Sequence, residues 1–284
     1  MKYVFVGNRR FVLDEMLRLR LNIVEIFVVS GTHLENDIKN MKCKYTLIFS
    51  KTELIEKLES VNYDILVSNG CPYILPISKM QQKTYINIHP SLLPDLKGVD
   101  PVIGSILFNR DAGATCHIMN DNIDGGDIVS QVKIPYSNDL DVSLLYQLSF
   151  IAEKESFTKA LNLNFKTIKI QEDENDLIYY TRKQKDKHIK FNESIGEMTN
   201  KIKAFNNKSQ GAFFIYDDME YKVFDLEILS NEFLRRYASN FEDLKILFCY
   251  EDSIIFNKDG CIVKFHQVSG NLSRIQTNTF ISQT

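Results

Sequence analysis

Three polar side chains in the middle of the chain have the types and the spacing that acyl-transfer chemistry needs. A short apolar segment at 85–88, YINI, predicts a strand on which Asn87 and His89 lie two residues apart. Because side chains alternate across a strand, both lie on the same face, and Pro90 ends the strand beside them. Asp124 follows later in the chain, directly before two glycines that favour a tight turn.

An amide, an imidazole and a carboxylate at one site could together transfer an acyl group. The Asn87 amide can donate to an oxygen that gains negative charge, and the His89 imidazole can move a proton or add a second donor. The Asp124 carboxylate can set the charge and orientation of the imidazole. The same short patterns are also typical of a capped strand end and of an ordinary Asp-Gly-Gly turn, so spacing alone leaves both interpretations open.

The elements that would position these residues alternate between strand and helix. Strand-forming and amphipathic helical segments follow one another at 2–7, 11–20, 23–30, 53–60, 63–69 and 85–88. This alternation predicts parallel strands joined by helical crossovers, and therefore a doubly wound α/β domain. Ligands of such domains bind beyond the carboxyl ends of the strands, which is where Asn87 and His89 are expected.

The second half of the chain predicts a long helix, an acidic connection and then a β-rich region. The helix is predicted at 139–163, with an apolar face formed by Leu140, Leu144, Leu145, Leu148, Ile151 and Ala152. The acidic stretch 171–178 predicts a surface connection. Beyond it, a helix at 194–205 precedes short strands predicted at 212–216, 220–228, 244–249, 253–257 and 261–268. We therefore expect two domains, at 1–180 and 181–284.

Composition and charge restrict the class of protein and its partners. The 284 residues are 44% hydrophobic and 25% charged, which is typical of a folded chain with a full core. No apolar run approaches the roughly 20 residues of a membrane span, and the first residues predict a strand rather than a signal peptide, so we expect a cytoplasmic protein with no membrane partner. The net charge of −3 disfavours a nucleic-acid partner, and the basic stretch 181–190 is expected to be a solvated surface turn.

The remaining histidines and the cysteines show no metal-site spacing, so no metal is expected. His117 lies in a predicted strand, where a buried, hydrogen-bonded histidine explains it at least as well as a direct role. His33 and His188 are expected on the surface. The five cysteines are scattered and include no C-x-x-C pair, which is typical of reduced thiols. The turn after the first strand lacks the glycine pattern of a dinucleotide site.

The segment 85–131 closely resembles the folate-dependent formyltransferases, a family that includes glycinamide ribonucleotide, methionyl-tRNA and sugar N-formyltransferases. The family pattern N-x-H-P-S-L-L-P stands at 87–94, and its later parts stand at Gly98, Pro101, 113–117 (G-x-T-x-H), 124–126 and Gln131. The resemblance is strong over about 60–165. It implies that Asn87, His89 and Asp124 are the catalytic residues.

The same resemblance implies a Rossmann-like domain that uses 10-formyltetrahydrofolate as co-substrate. The family's pterin pocket would fall on two loops, one before the catalytic strand and one carrying the aspartate. These loops contain Pro72, Tyr73, Ile74 and Leu75, and Asn120, Asp121 and Ile123. Ile74 and Leu75 could equally be core residues.

The length of the chain and its acidic charge bear on the acceptor. Purine-pathway members are usually a single domain, whereas the segment from Tyr180 resembles the linker and barrel entry of both the tRNA and the sugar enzymes. The short tail and the negative charge favour a small substrate. The resemblance therefore implies a nucleotide-sugar N-formyltransferase that acts on a dTDP-linked deoxy-aminosugar for surface polysaccharide synthesis. A methionyl-tRNA formyltransferase and a non-catalytic nucleotide-sugar binding protein are the alternatives.

Three further residues are candidates for holding the substrate phosphates. Asn8 and Arg9 follow the first strand, where an α/β site opens, and Lys97 lies in the loop after the catalytic strand. Lys and Arg side chains at these places could bind a pyrophosphate. Exposed arginines and a solvated lysine would be equally ordinary there. A homodimer is also expected.

Overall fold

The computed structural model describes residues 1–172 and 176–282, and these divide into two units. The first unit comprises Met1–Val102, Asp111–Pro135 and Tyr146–Thr181, and the second comprises Ile103–Arg110, Tyr136–Leu145 and Arg182–Thr284. Part of the predicted acidic connection, residues 173–175, lies outside the described residues. Glu172 before it and Asp176 after it are exposed. The division into domains at 1–180 and 181–284 remains a prediction.

A seven-stranded sheet organises the first unit. Its strands are β1 (Tyr3–Gly7), β2 (Ile23–Val29), β3 (Thr46–Ile48), β4 (Ile65–Asn69), β5 (Thr84–His89), β6 (Ala112–Ile118) and β7 (Ile128–Ile134). Their spatial order is β3-β2-β1-β4-β5-β6-β7. The first five strands pair in parallel, whereas β6 runs antiparallel to β5 and β7 antiparallel to β6. The predicted Rossmann-like α/β architecture is thereby confirmed.

Helices lie between the strands of this sheet and after its last strand. They are α1 (Phe11–Arg18), α2 (His33–Ile38), α3 (Lys51–Ser60), α4 (Pro101–Leu107) and α5 (Val142–Asn162), with a 3-10 turn at Ile77–Lys79. Apolar clusters cover both faces of the sheet: Phe5 belongs to one cluster, and its neighbours Val4 and Val6 belong to the other. Burial on both faces explains why β1 reads as an uninterrupted apolar run. Within the described ranges, no helix is long and apolar enough to span a membrane.

The apolar face predicted for α5 is partly wrong. Leu144 and Ile151 are 46% and 52% exposed, whereas Leu145 and Ala152 are buried. The buried stripe instead contains three polar residues, Ser149, Glu153 and Ser156. Residues elsewhere in the first unit hydrogen-bond to some of these polar side chains; for example, the Ser156 hydroxyl accepts from the Cys116 backbone N–H at 3.0 Å. The prediction for α5 used hydrophobic spacing alone, whereas the face that the fold buries includes polar residues.

The second unit contains the predicted β-rich region. Its elements are α6 (Ile195–Phe205), β8 (Ala212–Tyr216), β9 (Met219–Val223), β10 (Asp225–Leu229), α7 (Glu232–Ala238), β11 (Ile246–Tyr250), β12 (Ser253–Lys258) and β13 (Cys261–His266). Four of its strands form an antiparallel sheet in the order β10-β13-β12-β11, and β8 pairs with β9. The single strand predicted at 220–228 is wrong, because the chain breaks at Phe224 into two strands that join different sheets.

Candidate active site

The candidate site begins at the carboxyl end of β5, where the alternation of the strand brings Asn87 and His89 together. The neighbouring strand β6 runs antiparallel, so that Asn87 lies opposite His117 and His89 lies opposite Thr115. The His89 and His117 side chains are buried, whereas Asn87 is partly accessible. Two imidazoles and an amide therefore meet at the edge of the sheet where an α/β fold binds ligands.

Asp124 reaches this group from the loop between β6 and β7. Its backbone adopts a positive φ of 51°, which turns the chain so that the carboxylate faces the strand ends. Oδ1 lies 3.4 Å from His89 Nδ1 and 3.5 Å from Asn87 Nδ2. Oδ2 accepts a hydrogen bond from the Gly98 backbone N–H at 3.1 Å. The Asp124 carboxylate thus contacts both of the other residues predicted to form the catalytic centre.

The hydrogen bonds of His89 define which ring nitrogen carries its proton. Nε2 lies 3.0 Å from the Leu96 carbonyl oxygen, which can only accept, so Nε2 is the donor. In the neutral ring, Nδ1 then presents its lone pair toward Asp124. A proton taken up at Nδ1 would be stabilised at once by that carboxylate, which is the arrangement of a general base with an orienting anion.

His117 carries the opposite tautomer. Its Nδ1 donates to the Ile118 carbonyl oxygen at 3.0 Å, which leaves Nε2 to accept from Asn87 Nδ2 at 3.1 Å. This contact fixes which way the Asn87 amide points. The sequence left the role of His117 open between a buried histidine and a direct participant; the geometry makes it a buried residue that orients Asn87. The position of His117 in the G-x-T-x-H pattern was the sequence signal for its role in the site.

Burial dominates the ionisation of both histidines. Desolvation lowers the pKa of His89, although the Asp124 carboxylate opposes this effect, and the positive charge of Arg9 lowers the pKa further. Desolvation likewise lowers the pKa of His117 to about 4, again opposed by Asp124. Both rings are therefore neutral at physiological pH, as a base and an acceptor must be.

The loop that follows β5 is held by Thr115 and Gln131, which match the family pattern but whose roles were not predicted. The Thr115 hydroxyl accepts from Leu93 N at 3.0 Å and donates to the Ser91 carbonyl at 2.7 Å. Gln131 Nε2 donates to the Leu93 carbonyl at 2.8 Å. These bonds fix the backbone at 91–93, just ahead of the Leu96 carbonyl that accepts from His89.

Gln171 supports Asp124 from outside the motif block. Its Nε2 donates to the Asp124 carbonyl at 2.9 Å and to the Gly126 carbonyl at 2.6 Å. Both bonds reach back more than forty residues along the chain. No short-range sequence signal could have revealed this role, because it depends on the path that the chain takes after β7 and α5.

The two loops predicted to hold the pterin are joined to each other. The Ser78 backbone N–H, in the 3-10 turn after the first loop, donates to Asp121 Oδ1 at 3.0 Å. Leu75 is 2% exposed and belongs to the core, whereas Ile74 and Ile123 are 53% and 42% exposed. Of the remaining residues, Tyr73 is partly buried and packs on that core, while Pro72, Asn120 and Asp121 are exposed.

Gly126, at the end of the second loop, lets that loop pass close to β6. A Cβ at Gly126 would lie 1.7 Å from the Ile118 carbonyl oxygen, so that any side chain there would displace the loop from β6. Exposed backbone groups and two exposed aliphatic side chains, Ile74 and Ile123, can pair with and stack on a flat heterocycle. The residues present therefore fit a pterin.

The predicted phosphate contacts lie at the ends of β1 and β5. Asn8 and Arg9 directly follow β1 and are partly buried, and Arg9 Nη1 lies 2.9 Å from Glu153 Oε1. Lys97 is partly buried in the loop after β5, and its charge contributes to lowering the pKa of His117. Both cationic side chains therefore act electrostatically on the histidines of the site.

The other histidines lie away from this group. His33 is exposed, as predicted. The prediction for His188 is wrong, because its ring is partly buried and stacks on Phe213 with a centroid distance of 5.1 Å. In residues 1–172 and 176–282, no cluster of three or more His, Cys, Asp or Glu side chains could hold a metal ion.

Comparison with known families gives two matches that follow one another along the chain. The sequence model described as formyl transferase matches residues 39–161. The sequence model described as formyl transferase, C-terminal domain, matches residues 182–277. Together the two cover most of the chain and include every residue of the Asn87, His89 and Asp124 group.

Individual relatives are distant. The methionyl-tRNA formyltransferase of Ehrlichia chaffeensis is 32% identical over 171 residues, which are 59% of this chain and 55% of that protein. The corresponding protein of Ehrlichia canis is 29% identical, over 67% of this chain and 60% of its own length. The chain thus matches little more than half of the length of these two curated relatives.

Solved structures of related fold cover nearly the whole chain. An N-formyltransferase from Helicobacter canadensis, in complex with folinic acid and dTDP-3-aminofucose, superposes with a TM-score of 0.69 at 19% identity, over 94% of this chain and 99% of that one. A sugar 3N-formyltransferase determined in the presence of dTDP and 5-N-formyl-tetrahydrofolate gives a TM-score of 0.67 at 19% identity, over 94% and 97%. At this identity the likeness shows the fold.

Proposed function

The chain belongs to the formyl transferase family, and we propose that it is a folate-dependent enzyme that formylates the amino group of a nucleotide-linked deoxy-aminosugar. The observation that carries the chemistry is the contact among Asn87, His89 and Asp124 at the carboxyl end of β5. The donor is 10-formyltetrahydrofolate, which supplies the formyl group when it is bound.

The side chains of the site divide the work between them. Asn87, oriented by one N–H that donates to His117, donates its second amide N–H, which reaches Asp124 Oδ1 only at 3.5 Å, to the formyl oxygen as that oxygen gains charge. His89 takes up the proton of the attacking amine at Nδ1, because Nε2 is already committed to the Leu96 carbonyl. Asp124 stabilises the imidazolium that results. That imidazolium would then return its proton to the donor nitrogen as the bond between this nitrogen and the formyl carbon breaks, so that tetrahydrofolate leaves neutral. The amine must attack as the neutral base, within about 3 Å of this group.

The pterin is proposed to bind between the two loops that Asp121 and Ser78 join. Pro72, Tyr73, Ile74 and Leu75 line the first loop, with the side chain of Leu75 directed to the core, and Asn120, Asp121 and Ile123 line the second. Backbone N–H and C=O groups of these loops would pair with the polar edge of the ring, while Ile74 and Ile123 would cover its faces. The Gly126 turn would set the depth of the pocket.

A dTDP-linked aminosugar is the proposed acceptor, as an intermediate of surface polysaccharides. The net charge of −3 and the full-length likeness to folds of sugar N-formyltransferases support a small acceptor over a polyanionic one. Asn8, Arg9 and Lys97 would contact its phosphates. One edge of the Arg9 guanidinium faces Glu153, so the other edge would face the ligand. We propose a cytoplasmic homodimer that uses no nucleic-acid substrate.

A methionyl-tRNA formyltransferase is the second candidate function. The curated relatives with matching sequence carry that name, including the two from Ehrlichia. Such an enzyme would bind its substrate mainly through phosphates, and its activity would fall steeply with added salt. Activity on a small nucleotide sugar would depend far less on salt, because few phosphates are contacted.

One assay separates the two candidates. The purified chain is supplied with 10-formyltetrahydrofolate and either initiator methionyl-tRNA or a panel of dTDP- and UDP-linked aminosugars, and release of tetrahydrofolate is followed. We expect turnover with an aminosugar nucleotide and none with tRNA. The reverse result would establish the second candidate. Before kinetics, melting shifts would rank the nucleotide sugars, since saturation at 100 times Kd stabilises a protein by about 2.7 kcal/mol.

A further inference from the structure

A buried ion pair lies beside the candidate site and is not used in the chemistry above. Glu153, on α5, has a side chain that is 0% exposed, and its Oε1 lies 2.9 Å from Arg9 Nη1. A carboxylate without solvent is costly unless a cation accompanies it, and removing one partner of such a pair leaves the other charge uncompensated. Burial raises the pKa of Glu153 and the charge of Arg9 opposes this effect, so the carboxylate depends on Arg9 to remain charged.

The position of the Arg9 side chain depends on a glycine at the end of β4. A Cβ at Gly70, directly after β4, would lie 2.8 Å from Arg9 Nε and 2.1 Å from Asn8 Oδ1, and the backbone there has a φ of +72°. Only a glycine lets these side chains cross the end of β4. Asn69, the last residue of that strand, is 0% exposed.

Several buried polar atoms around the pair have no hydrogen-bond partner among the described residues. They are Arg9 Nε, Asn8 Oδ1, Asn69 Oδ1, Ser149 Oγ and both Glu153 carboxylate oxygens. Glu153 thus meets Arg9 as a close charge contact without an aligned hydrogen bond. Buried polar atoms in folded proteins are nearly always paired, and a cluster of exceptions next to a reactive centre indicates a functional requirement.

The cluster adjoins the catalytic histidine. In the sheet β4 lies between β1 and β5, and the Arg9 side chain crosses the end of β4, where Asn69 pairs with Ile88 next to His89. Charged groups reach His89 from two other elements: Arg9 from the end of β1 and Asp124 from the loop after β6. His117 on β6 and Lys97 from the loop after β5 complete the titratable and charged groups of the site.

We infer that Glu153 is a positioning residue, which holds the Arg9 guanidinium beside His89 and neutralises part of its charge. Arg9 disfavours a protonated His89 before the amine arrives, and Glu153 limits this effect so that His89 can still accept a proton during the reaction. A second consequence is that Glu153 fixes which edge of Arg9 faces the ligand. The inference rests on the role proposed above for His89, but its test does not depend on the acceptor.

The test measures the titration of His89 directly. Imidazole resonances of the full-length chain are followed by NMR between pH 4 and 9 without substrates, and His89 is assigned from a His89→Gln variant. The variants are Arg9→Met, Glu153→Gln and the double variant. The matched control is Glu155→Gln, which removes a carboxylate from an exposed position of the same helix. Melting temperatures establish that each variant is folded.

We expect opposite shifts from the two single variants. Arg9→Met should raise the pKa of His89 by about half a pH unit, the effect of one charge several ångströms away in protein. Glu153→Gln, which retains the shape of the side chain, should lower it by a similar amount because the guanidinium is no longer neutralised. In the Arg9→Met background the buried Glu153 loses the charge that opposes the rise of its pKa and is protonated, so Glu153→Gln should have no further effect there. Glu155→Gln should have no effect in either background.

Three outcomes would overturn the inference. If the titration of His89 were unchanged in both single variants, the ion pair would only hold α5 in place and would not act on His89. Shifts in the same direction would mean that Glu153 does not act by neutralising Arg9. An equal effect of Glu153→Gln with and without Arg9 would mean that it does not act through Arg9. Should Glu153→Gln fail to fold, Arg9→Lys, which keeps the charge but not the planar fork, must leave the His89 pKa near its original value.

If only the aminosugar assay failed, the proposed acceptor would be wrong and the inference about Glu153 would be unaffected.

Discussion

Asn87 and His117 face each other across two antiparallel strands, and the amide N–H of Asn87 donates to His117 Nε2 at 3.1 Å. The amide nitrogen is thereby directed toward the place where Asp124 and His89 converge. This single contact joins the residue that can stabilise an oxyanion to the core of the sheet, because His117 itself is anchored by the Ile118 carbonyl.

Removing the acceptor of this bond should lower kcat. In His117→Leu the Asn87 amide loses its anchor, and we expect kcat to fall by about tenfold, with a smaller change in KM, because the lost contact acts on the transition state. His117→Gln, whose carbonyl oxygen can accept the same N–H, should recover part of the loss. The exposed His33→Leu serves as the control. Equal kcat for His117→Leu and the unmodified chain would contradict the role of His117.

Substitution of the three proposed catalytic residues should strongly reduce turnover without unfolding the chain. Asp124→Asn is the better variant at that position because asparagine tolerates the positive φ of 51° that Asp124 adopts. For Asp124→Asn, His89→Ala and Asn87→Ala we expect losses of kcat of about 10² to 10³ each, and a double variant should lose less than the product of the two. Near-normal turnover in any single variant, with an intact melting transition, would exclude that residue from catalysis.

The two buried histidines should make the fold sensitive to acid. Their pKa values are lowered in the folded chain, to about 4 for His117, whereas in the unfolded chain they return to their ordinary value. As pH falls from about 6.5 toward 4, the unfolded state therefore binds protons that the folded state refuses, and stability is lost. His117 alone should contribute a loss of about 1.4 kcal/mol per pH unit in that window.

Urea unfolding at pH 7.5, 6 and 5 measures this loss. The slope between pH 6 and 5 should be smaller in His117→Gln, which has no proton to bind, and unchanged in His33→Gln. The rate should show the same effect. The inflection of the kcat/KM profile that belongs to His89 should lie below the ordinary histidine pKa, separate from the inflection of the acceptor amine, because the neutral form of His89 is the one that accepts a proton. An enzyme inflection at the ordinary histidine pKa of about 6.5 would be inconsistent with a lowered pKa of His89.

Gly126, in the turn that ends the loop carrying Asp124, should not tolerate a side chain. In Gly126→Ala the new Cβ would lie 1.7 Å from the Ile118 carbonyl, so the loop must move away from β6 and take Asp124 with it. We expect turnover to fall by at least tenfold and the KM for the folate donor to rise. Gly196→Ala, on α6 and with its nearest neighbour atom at 4.0 Å, should leave both unchanged. Wild-type kinetics in Gly126→Ala would mean that the loop position is unimportant.

The strand periodicity at 85–89 was sufficient to predict that Asn87 and His89 share a face, and the parallel α/β fold followed from the alternation of elements. The ion pair of Glu153 could not be predicted in the same way. Helical spacing on α5 indicated a face containing Leu144 and Ile151, but both are exposed. Polar residues occupy the buried stripe because their partners, such as Arg9 for Glu153, come from distant strands, and hydrophobic periodicity cannot detect such pairs.

Gln171 provides the final test, because it connects the motif block to a part of the chain that carries no motif. Its single amide nitrogen donates to two carbonyls, those of Asp124 and Gly126, and so holds the loop at both ends of its turn. Gln171→Ala should loosen this turn and reduce kcat/KM for the folate donor by about tenfold, the cost of one or two hydrogen bonds. Gln171→Glu should be worse than alanine, since it would direct carboxylate oxygens at two carbonyl oxygens. Glu172→Ala, at the adjacent exposed position, is the matched control. If Gln171→Glu proved milder than Gln171→Ala, the amide would not be acting as the donor that the distances indicate.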